Sequence, residues 1–241
     1  MRRLLLVVVA IFMSSVVPGV ASARSDDPLA RVAGPTADLA WTARVDYPVV
    51  ATRAPGGGRR LATVGTSAPY WGGPNVLLVT APPRHVDGAT FVRVRLKTMP
   101  AGSAGWVAAD AVTLQPTRRR IVIDLSQRRV TLTIGGRRFL SSRVVVGAAI
   151  TPTPTGLFAV DAPVSQHPEL NLGRRVLALT AYSRALARYQ GGIPQVALHA
   201  YEQLGAPLGV AASHGCVRMP ERVVQALIRH APRGTPVVIQ R

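Results

Sequence analysis

The run Ile121-Val122-Ile123-Asp124-Leu125-Ser126-Gln127-Arg128-Arg129-Val130-Thr131-Leu132-Thr133-Ile134-Gly135-Gly136 decides the fold class. Two apolar, β-branched stretches flank a polar Ser-Gln-Arg-Arg corner, which reads as an antiparallel hairpin. Gly135-Gly136 supplies the positive φ that the next tight turn needs. A third strand is expected over residues 142–147, and Thr151-Pro152-Thr153-Pro154-Thr155-Gly156 reads as a stiff loop feeding a strand that starts at Leu157. Nearer the C-terminus, Val223, Val224, Leu227 and Ile228 share one helical face, with Pro220 suited to the first turn. Gly234 ends that section, and residues 236–240 form a last strand. The sum is a mainly β unit with one short helix.

Upstream, residues 41–115 also read as all-β. Short apolar stretches at 47–51, 75–80 and 91–96 are separated by Gly and Pro clusters such as Gly56-Gly57-Gly58 and Gly72-Gly73-Pro74. Phe91-Val92-Arg93-Val94-Arg95-Leu96 alternates apolar and basic, as a half-exposed strand does. Gly105-Trp106-Val107 and the residues after it resemble the closing motif of bacterial SH3-like wall-associated domains. Trp106 is then either a core residue or a binding residue. The expected organisation is a flexible lead-in at 24–40, an SH3-like accessory domain at 41–115, a linker at 116–120 and a second domain at 121–241.

Residues 1–23 carry Arg2-Arg3, an apolar run and Ala21-Ser22-Ala23, the pattern of a cleaved signal peptide. An uncleaved anchor is the alternative, since the uncharged run reaches the ~20 residues a bilayer takes. Loss of this segment removes two arginines and no acid, so the formal charge falls from +18 to +16. A charge of that sign favours anionic partners. The arginines are dispersed, and the one triplet, Arg118-Arg119-Arg120, has no interleaved aromatics, which argues against nucleic acid. A wall-associated cationic protein fits better. Of the 29 basic residues only Lys97 is lysine.

The chemistry sits in Ser213-His214-Gly215-Cys216-Val217-Arg218, which holds the single cysteine of the chain. An odd cysteine in an exported protein is a candidate reactive thiol. A small buried core residue is the alternative, but Ser-His-Gly and Arg are poor core flanks. Thiol acyl transfer needs a proton acceptor and oxyanion donors. His199 is a candidate base, and Gly215 lets backbone and substrate approach the sulfur. The histidine and cysteine spacings match no common zinc pattern, so no metal or other cofactor is expected.

Three segments resemble the L,D-transpeptidase catalytic domain of the YkuD type. They are the hairpin around Asp124-Leu125-Ser126-Gln127, the loop Thr153-Pro154-Thr155-Gly156-Leu157-Phe158, and His199 followed, after thirteen intervening residues, by Ser213-His214-Gly215-Cys216. The resemblance implies a YkuD-like β-sandwich over residues 121–241. It implies that Cys216 is the nucleophile, that His199 is the base, and that the carbonyl of Ala200 orients the imidazole. His214, Gly215 and Cys216 would shape the oxyanion site, and His214 is either structural or a second base. Ser213 and Arg218 are assigned to substrate. Arg218 would hold a substrate carboxylate, against the alternative of an ion pair with Glu221. Ala200 replaces the glycine that many members carry, a change a carbonyl role tolerates.

The implied reaction is 3→3 cross-linking of peptidoglycan stem peptides through a thioester to the third residue of a tetrapeptide, at an extracytoplasmic, wall-associated site. Members of this family are typically acylated by carbapenems. Peptidoglycan stems are the expected partner, with no nucleic acid, no membrane after signal cleavage, and a monomeric state. An L,D-carboxypeptidase using the same thioester, or a non-catalytic wall-binding scaffold, are the competing readings.

Overall fold

The structure, a computed structural model, describes residues 28–241 except 190, 203 and 204. The expected signal segment lies outside the described residues. Within the expected lead-in, Pro28–Arg31 forms a 3-10 turn and Val32 is buried in a core, while the Thr36 carbonyl accepts from Arg120 at 2.6 Å.

Seven strands build the first sheet: β1 (Ala40–Val45), β2 (Val49–Ala54), β3 (Gly57–Val64), β4 (Val76–Val86), β5 (Ala89–Arg95), β6 (Ala104–Ala108) and β7 (Val112–Thr117). They pair antiparallel throughout, in the order β3-β2-β6-β5-β4-β1-β7. The alternating pattern of residues 91–96 appears as expected in β5, where Val92 and Val94 are buried and Arg93 is exposed. Trp106 lies on β6 opposite Thr52 and Arg93. A core of Ala43, Leu77, Val79, Val92, Val94, Leu96 and Val107 closes against this sheet.

Only Arg118 separates β7 from β8 (Arg119–Asp124), so the residues expected as a linker are almost wholly strand. The hairpin follows with β9 (Arg129–Ile134), and Gly135 and Gly136 take φ of 58° and 75° at the turn into β10 (Arg137–Arg143). The third strand therefore starts five residues before its expected position, because the glycine pair itself closes a second hairpin. Then come β11 (Val146–Gly147), β12 (Gly156–Ser165), β13 (Arg175–Tyr182), β14 (Gln195–Ala200), β15 (Ala211–Ser213), β16 (Val217–Met219), helix α1 (Glu221–His230) and β17 (Pro236–Gln240). Pro220 stands at the N-cap of α1.

Eight of these strands form one mixed sheet, in the order β10-β9-β8-β17-β12-β13-β14-β16, and β11 pairs in parallel with β15 beside it. Residues from β8 and β9 at one end, β14 and β16 at the other, and α1 belong to a single buried cluster. A sheet whose distant strands share one core must curl. Register breaks at Val160/Ala162 and Ala178/Tyr182 supply bends of the kind that irregular pairing introduces. Val223, Val224 and Leu227 seat α1 on this core.

The two sheets are joined by more than chain continuity. Ala40, Leu78, Ala159 and Leu157 form a small apolar cluster between them. Beside it, Lys97 just after β5 meets Asp161 of β12 at 2.7 Å, with side chains 3% and 0% exposed. Removing one partner of such a pair strands a charge in the interior, at a cost of about 3–5 kcal/mol. Asp161→Ala should therefore lose stability on that scale in urea unfolding, whereas Lys97→Met/Asp161→Leu, which removes both charges, should lose distinctly less.

Candidate active site

Strand alternation decides which side chains meet. In β14, Val196 and Leu198 are buried in the core, so Gln195, Ala197 and His199 project to the opposite face. β16 runs parallel to β14, with Leu198 opposite Val217 and His199 opposite Arg218. Val217 and Met219 fill the core, which sends Arg218, and Cys216 two residues before it, to the same side as His199. The result is a cleft of about 870 Å³ whose lining includes Cys216, His199, His214 and Arg218.

The turn carrying the thiol is held from behind. Thr151 Oγ1 donates to the Ser213 carbonyl at 3.1 Å, and Thr153 Oγ1 donates to the Gly215 carbonyl at 2.9 Å. Thr153 Oγ1 also accepts from the Gly147 N–H at 2.9 Å. Both threonines are buried. Gly147 is required here, since a Cβ would run into Thr151 O and Thr153 N. Gly215 has φ of 113°, open to glycine and strained for any other residue. The two threonines of the Thr-Pro-Thr-Pro loop thus clamp the Ser-His-Gly-Cys turn, a role that sequence reading did not assign to them.

Ser213, assigned to substrate on the resemblance, is 1% exposed. Its hydroxyl donates to the Cys216 carbonyl at 2.5 Å and accepts from the Gly215 N–H at 3.2 Å. Enclosed in this way, the hydroxyl shapes the turn, and Ser213 is not among the residues that line the cleft. His214 is exposed at the mouth, its ring 6.0 Å from that of Tyr189. Ala200 is buried, its N–H bound to Leu172 O at 3.1 Å and its carbonyl 2.8 Å from His199 Nδ1. That bond makes Nδ1 the donor and leaves Nε2 with a free lone pair.

Electrostatics set the resting protonation. Burial pushes the His199 pKa down to about 4, opposed by its bond to Ala200 and assisted by the Arg218 charge. Burial pushes the Cys216 thiol up, against the Ala197 N–H that donates to Sγ at 3.4 Å and against Arg218. Base and thiol are both neutral at pH 7. The depressed thiol that a basic or imidazole neighbour would give is therefore not the resting state here, because desolvation outweighs both stabilising neighbours. Arg218 Nε is buried and has no partner among the described residues, and its guanidinium makes no ion pair with Glu221 there. Among the described residues no acidic side chain lines the cleft, while Arg188 and Arg218 do.

Tyr70, Trp71 and Met99, from loops of the first sheet, also line the cleft. No motif pointed to them. Thr153→Val, which keeps shape and removes the hydroxyl, should cost about 1–3 kcal/mol by leaving a buried carbonyl and N–H unpaired. It should also slow alkylation of Cys216 by iodoacetamide, with the two effects read in urea unfolding and by mass spectrometry.

The family model of the YkuD L,D-transpeptidase catalytic domain matches residues 118–239. A putative L,D-transpeptidase, YkuD, of Bacillus subtilis (strain 168) is 27% identical over 152 residues, covering 61% of this chain and 84% of that one. Among solved structures, the catalytic domain of an Enterococcus faecium L,D-transpeptidase is 24% identical, covering 50% of this chain and 95% of its own, with a TM-score of 0.37. An L,D-transpeptidase from Mycobacterium smegmatis is 16% identical, covering 80% of this chain and all of its own, with a TM-score of 0.42. With half of its residues matched by that model, on the stretch that carries the clamped cysteine turn and its histidine, the chain belongs to the YkuD L,D-transpeptidase catalytic domain family.

Proposed function

We propose that this chain is an exported cysteine L,D-transpeptidase that forms 3→3 cross-links between peptidoglycan stem peptides. The observation that carries the reading is the shared face of β14 and β16, where Cys216, His199 and Arg218 line one cleft beside a clamped turn. Its substrate is a tetrapeptide stem, its site of action is extracytoplasmic and wall-associated, and it works as a monomer. Residues 121–241 are the catalytic domain, and the preceding β unit is an SH3-like accessory domain.

The chemistry begins with two neutral partners. His199 Nε2 takes the thiol proton as Sγ attacks the carbonyl of the third stem residue, and the Ala200 carbonyl stabilises the imidazolium through Nδ1–H. The Gly215 N–H is already engaged by Ser213, so the N–H groups of His214 and Cys216 are the donors left on this turn for the oxyanion. Collapse of the tetrahedral intermediate breaks the bond to the terminal D-alanine, whose amine leaves with the proton from His199. The amine of a second stem then attacks the thioester, His199 takes its proton, and Sγ leaves as the thiol. Arg218, with its unpaired buried Nε, holds a substrate carboxylate. Water in place of the second amine would make the enzyme an L,D-carboxypeptidase.

Intact-mass spectrometry after incubation with a carbapenem tests the site. The wild-type protein should gain one adduct and Cys216→Ala none, with unchanged unfolding. His199→Ala should acylate about 10²-fold or more slowly, the scale of a positioned general base. A folded wild-type protein that forms no adduct would overturn the reading in favour of a non-catalytic scaffold. A tetrapeptide donor with and without an acceptor amine separates transfer from hydrolysis.

The pH profile follows from the two shifts. A base with a pKa near 4 is deprotonated at all higher pH, so its contribution is lost only as pH falls through about 4. The raised thiol pKa puts the alkaline limit above the ordinary thiol range. The acylation rate should therefore hold a plateau from about pH 5 to pH 8. An acid limb centred near 6.5 would instead place an unperturbed imidazole in the role.

A further inference from the structure

The one lysine of the chain is buried where the two sheets meet, and the cleft has a wall that the matched catalytic segment does not supply. Lys97 pairs with Asp161 at 2.7 Å. The other carboxylate oxygen of Asp161 accepts from Gln195 Nε2 at 2.8 Å, and Gln195 Oε1 accepts from the indole N–H of Trp71 at 2.7 Å. Gln195 Nε2 also donates to Leu179 O at 2.7 Å. The chain of contacts starts and ends in the first sheet's unit and passes through β12 and β14. Gln195 lies on the same strand and the same face as His199, four residues before it.

Backbone strain marks the same place. Tyr70 adopts φ of 68°, an outlier for a bulky side chain, inside a tight loop closed by the bonds Ala68 N–H to Gly73 O and Gly72 N–H to Ala68 O. That loop displays Tyr70 at 64% and Trp71 at 39% exposure, both on the cleft. A lysine is the side chain suited to the buried end of the relay, because its ammonium is compact where a guanidinium fork is broad. In a chain that otherwise uses arginine for every basic position, this is the exception.

We propose that Tyr70, Trp71 and Met99 form one wall of the substrate cleft, a binding subsite for the donor stem peptide, and that the Lys97–Asp161–Gln195–Trp71 relay is the positioning device that holds this wall in register with Cys216. The ligand class follows from the lining: apolar and aromatic on this wall, Arg218 and Arg188 elsewhere, and no acidic side chain among the described residues. A short peptide with aliphatic faces and free carboxylates fits both halves, and the volume of about 870 Å³ lies in the usual range for small-ligand sites. The identity of the peptide rests on the proposed function; the existence of the wall does not.

The test measures equilibrium binding of a synthetic tetrapeptide stem to the full chain carrying Cys216→Ala, so that no turnover intervenes. Adding Trp71→Ala should weaken Kd about tenfold, and adding Lys97→Met/Asp161→Asn should weaken it several-fold. In the wild-type cysteine background, that relay variant should leave the rate of Cys216 alkylation by iodoacetamide within twofold, which a general loosening of the fold would not. Tyr70→Ala and Trp71→Ala both binding within twofold of their parent would overturn the subsite, as would a parent that does not bind the tetrapeptide at all. A carbapenem adduct on the wild type with no change in Kd removes the wall and leaves the chemistry standing. Loss of Kd without any adduct does the reverse.

Discussion

The parallel pairing of β14 with β16 is the constraint on which the rest of this molecule depends. Side chains alternate across a strand, so the register that puts Leu198 and Val217 into the core also puts His199, Cys216 and Arg218 on the outer face. A slip of one residue in either strand would turn polar side chains into the apolar core and core side chains out of it. The site is therefore secured by the hydrophobic pattern of the strands that carry it. Two short runs of apolar residues do the positioning, and the polar residues between them inherit it.

What β16 cannot hold is the turn before it, where His214, Gly215 and Cys216 lie outside regular structure. Here the threonines of the Thr151–Thr153 loop take over, binding the carbonyls of Ser213 and Gly215 from the buried side. Carbonyls held in this way fix the backbone of the turn that carries the thiol. Burial raises the thiol and lowers the imidazole, so the two rest as a neutral pair. Among the described residues the cleft is lined by arginines and by no acidic side chain, so its field is positive.

The two sheets share a buried ion pair, an apolar cluster and a hydrogen bond from Arg233 to the Asp161 carbonyl at 2.8 Å. Breaking the buried pair would strand a charge in the interior, so the two sheets are held together where it forms. Joined this way, the first sheet cannot be a loosely tethered module. Its loops line the cleft that holds Cys216, and Trp71 is bonded to Gln195 on the strand that carries His199.

Much of this was legible in the sequence, for a physical reason. The hairpin around residues 121–136, the apolar face of α1 and the alternation in β5 are local patterns, set by periods of two and 3.6 residues. The Ser213–Cys216 turn and His199 stood out because thiol chemistry calls for those residue types, and the fold brings Cys216 and His199 to one cleft. Contacts between distant segments carry no such signature. That Ser213 is enclosed, that Thr153 reaches Gly215 and that Val32 is buried depend on which surfaces the folded sheets bring together. The lone lysine was visible among 29 basic residues, but its meaning was not, because a charge becomes a lock only once folding has taken it out of water beside Asp161. Sequence alone determined the chemistry available to this protein. The tertiary structure decided its protonation, its clamp and the wall it faces, since desolvation and long-range contact exist only in the folded chain.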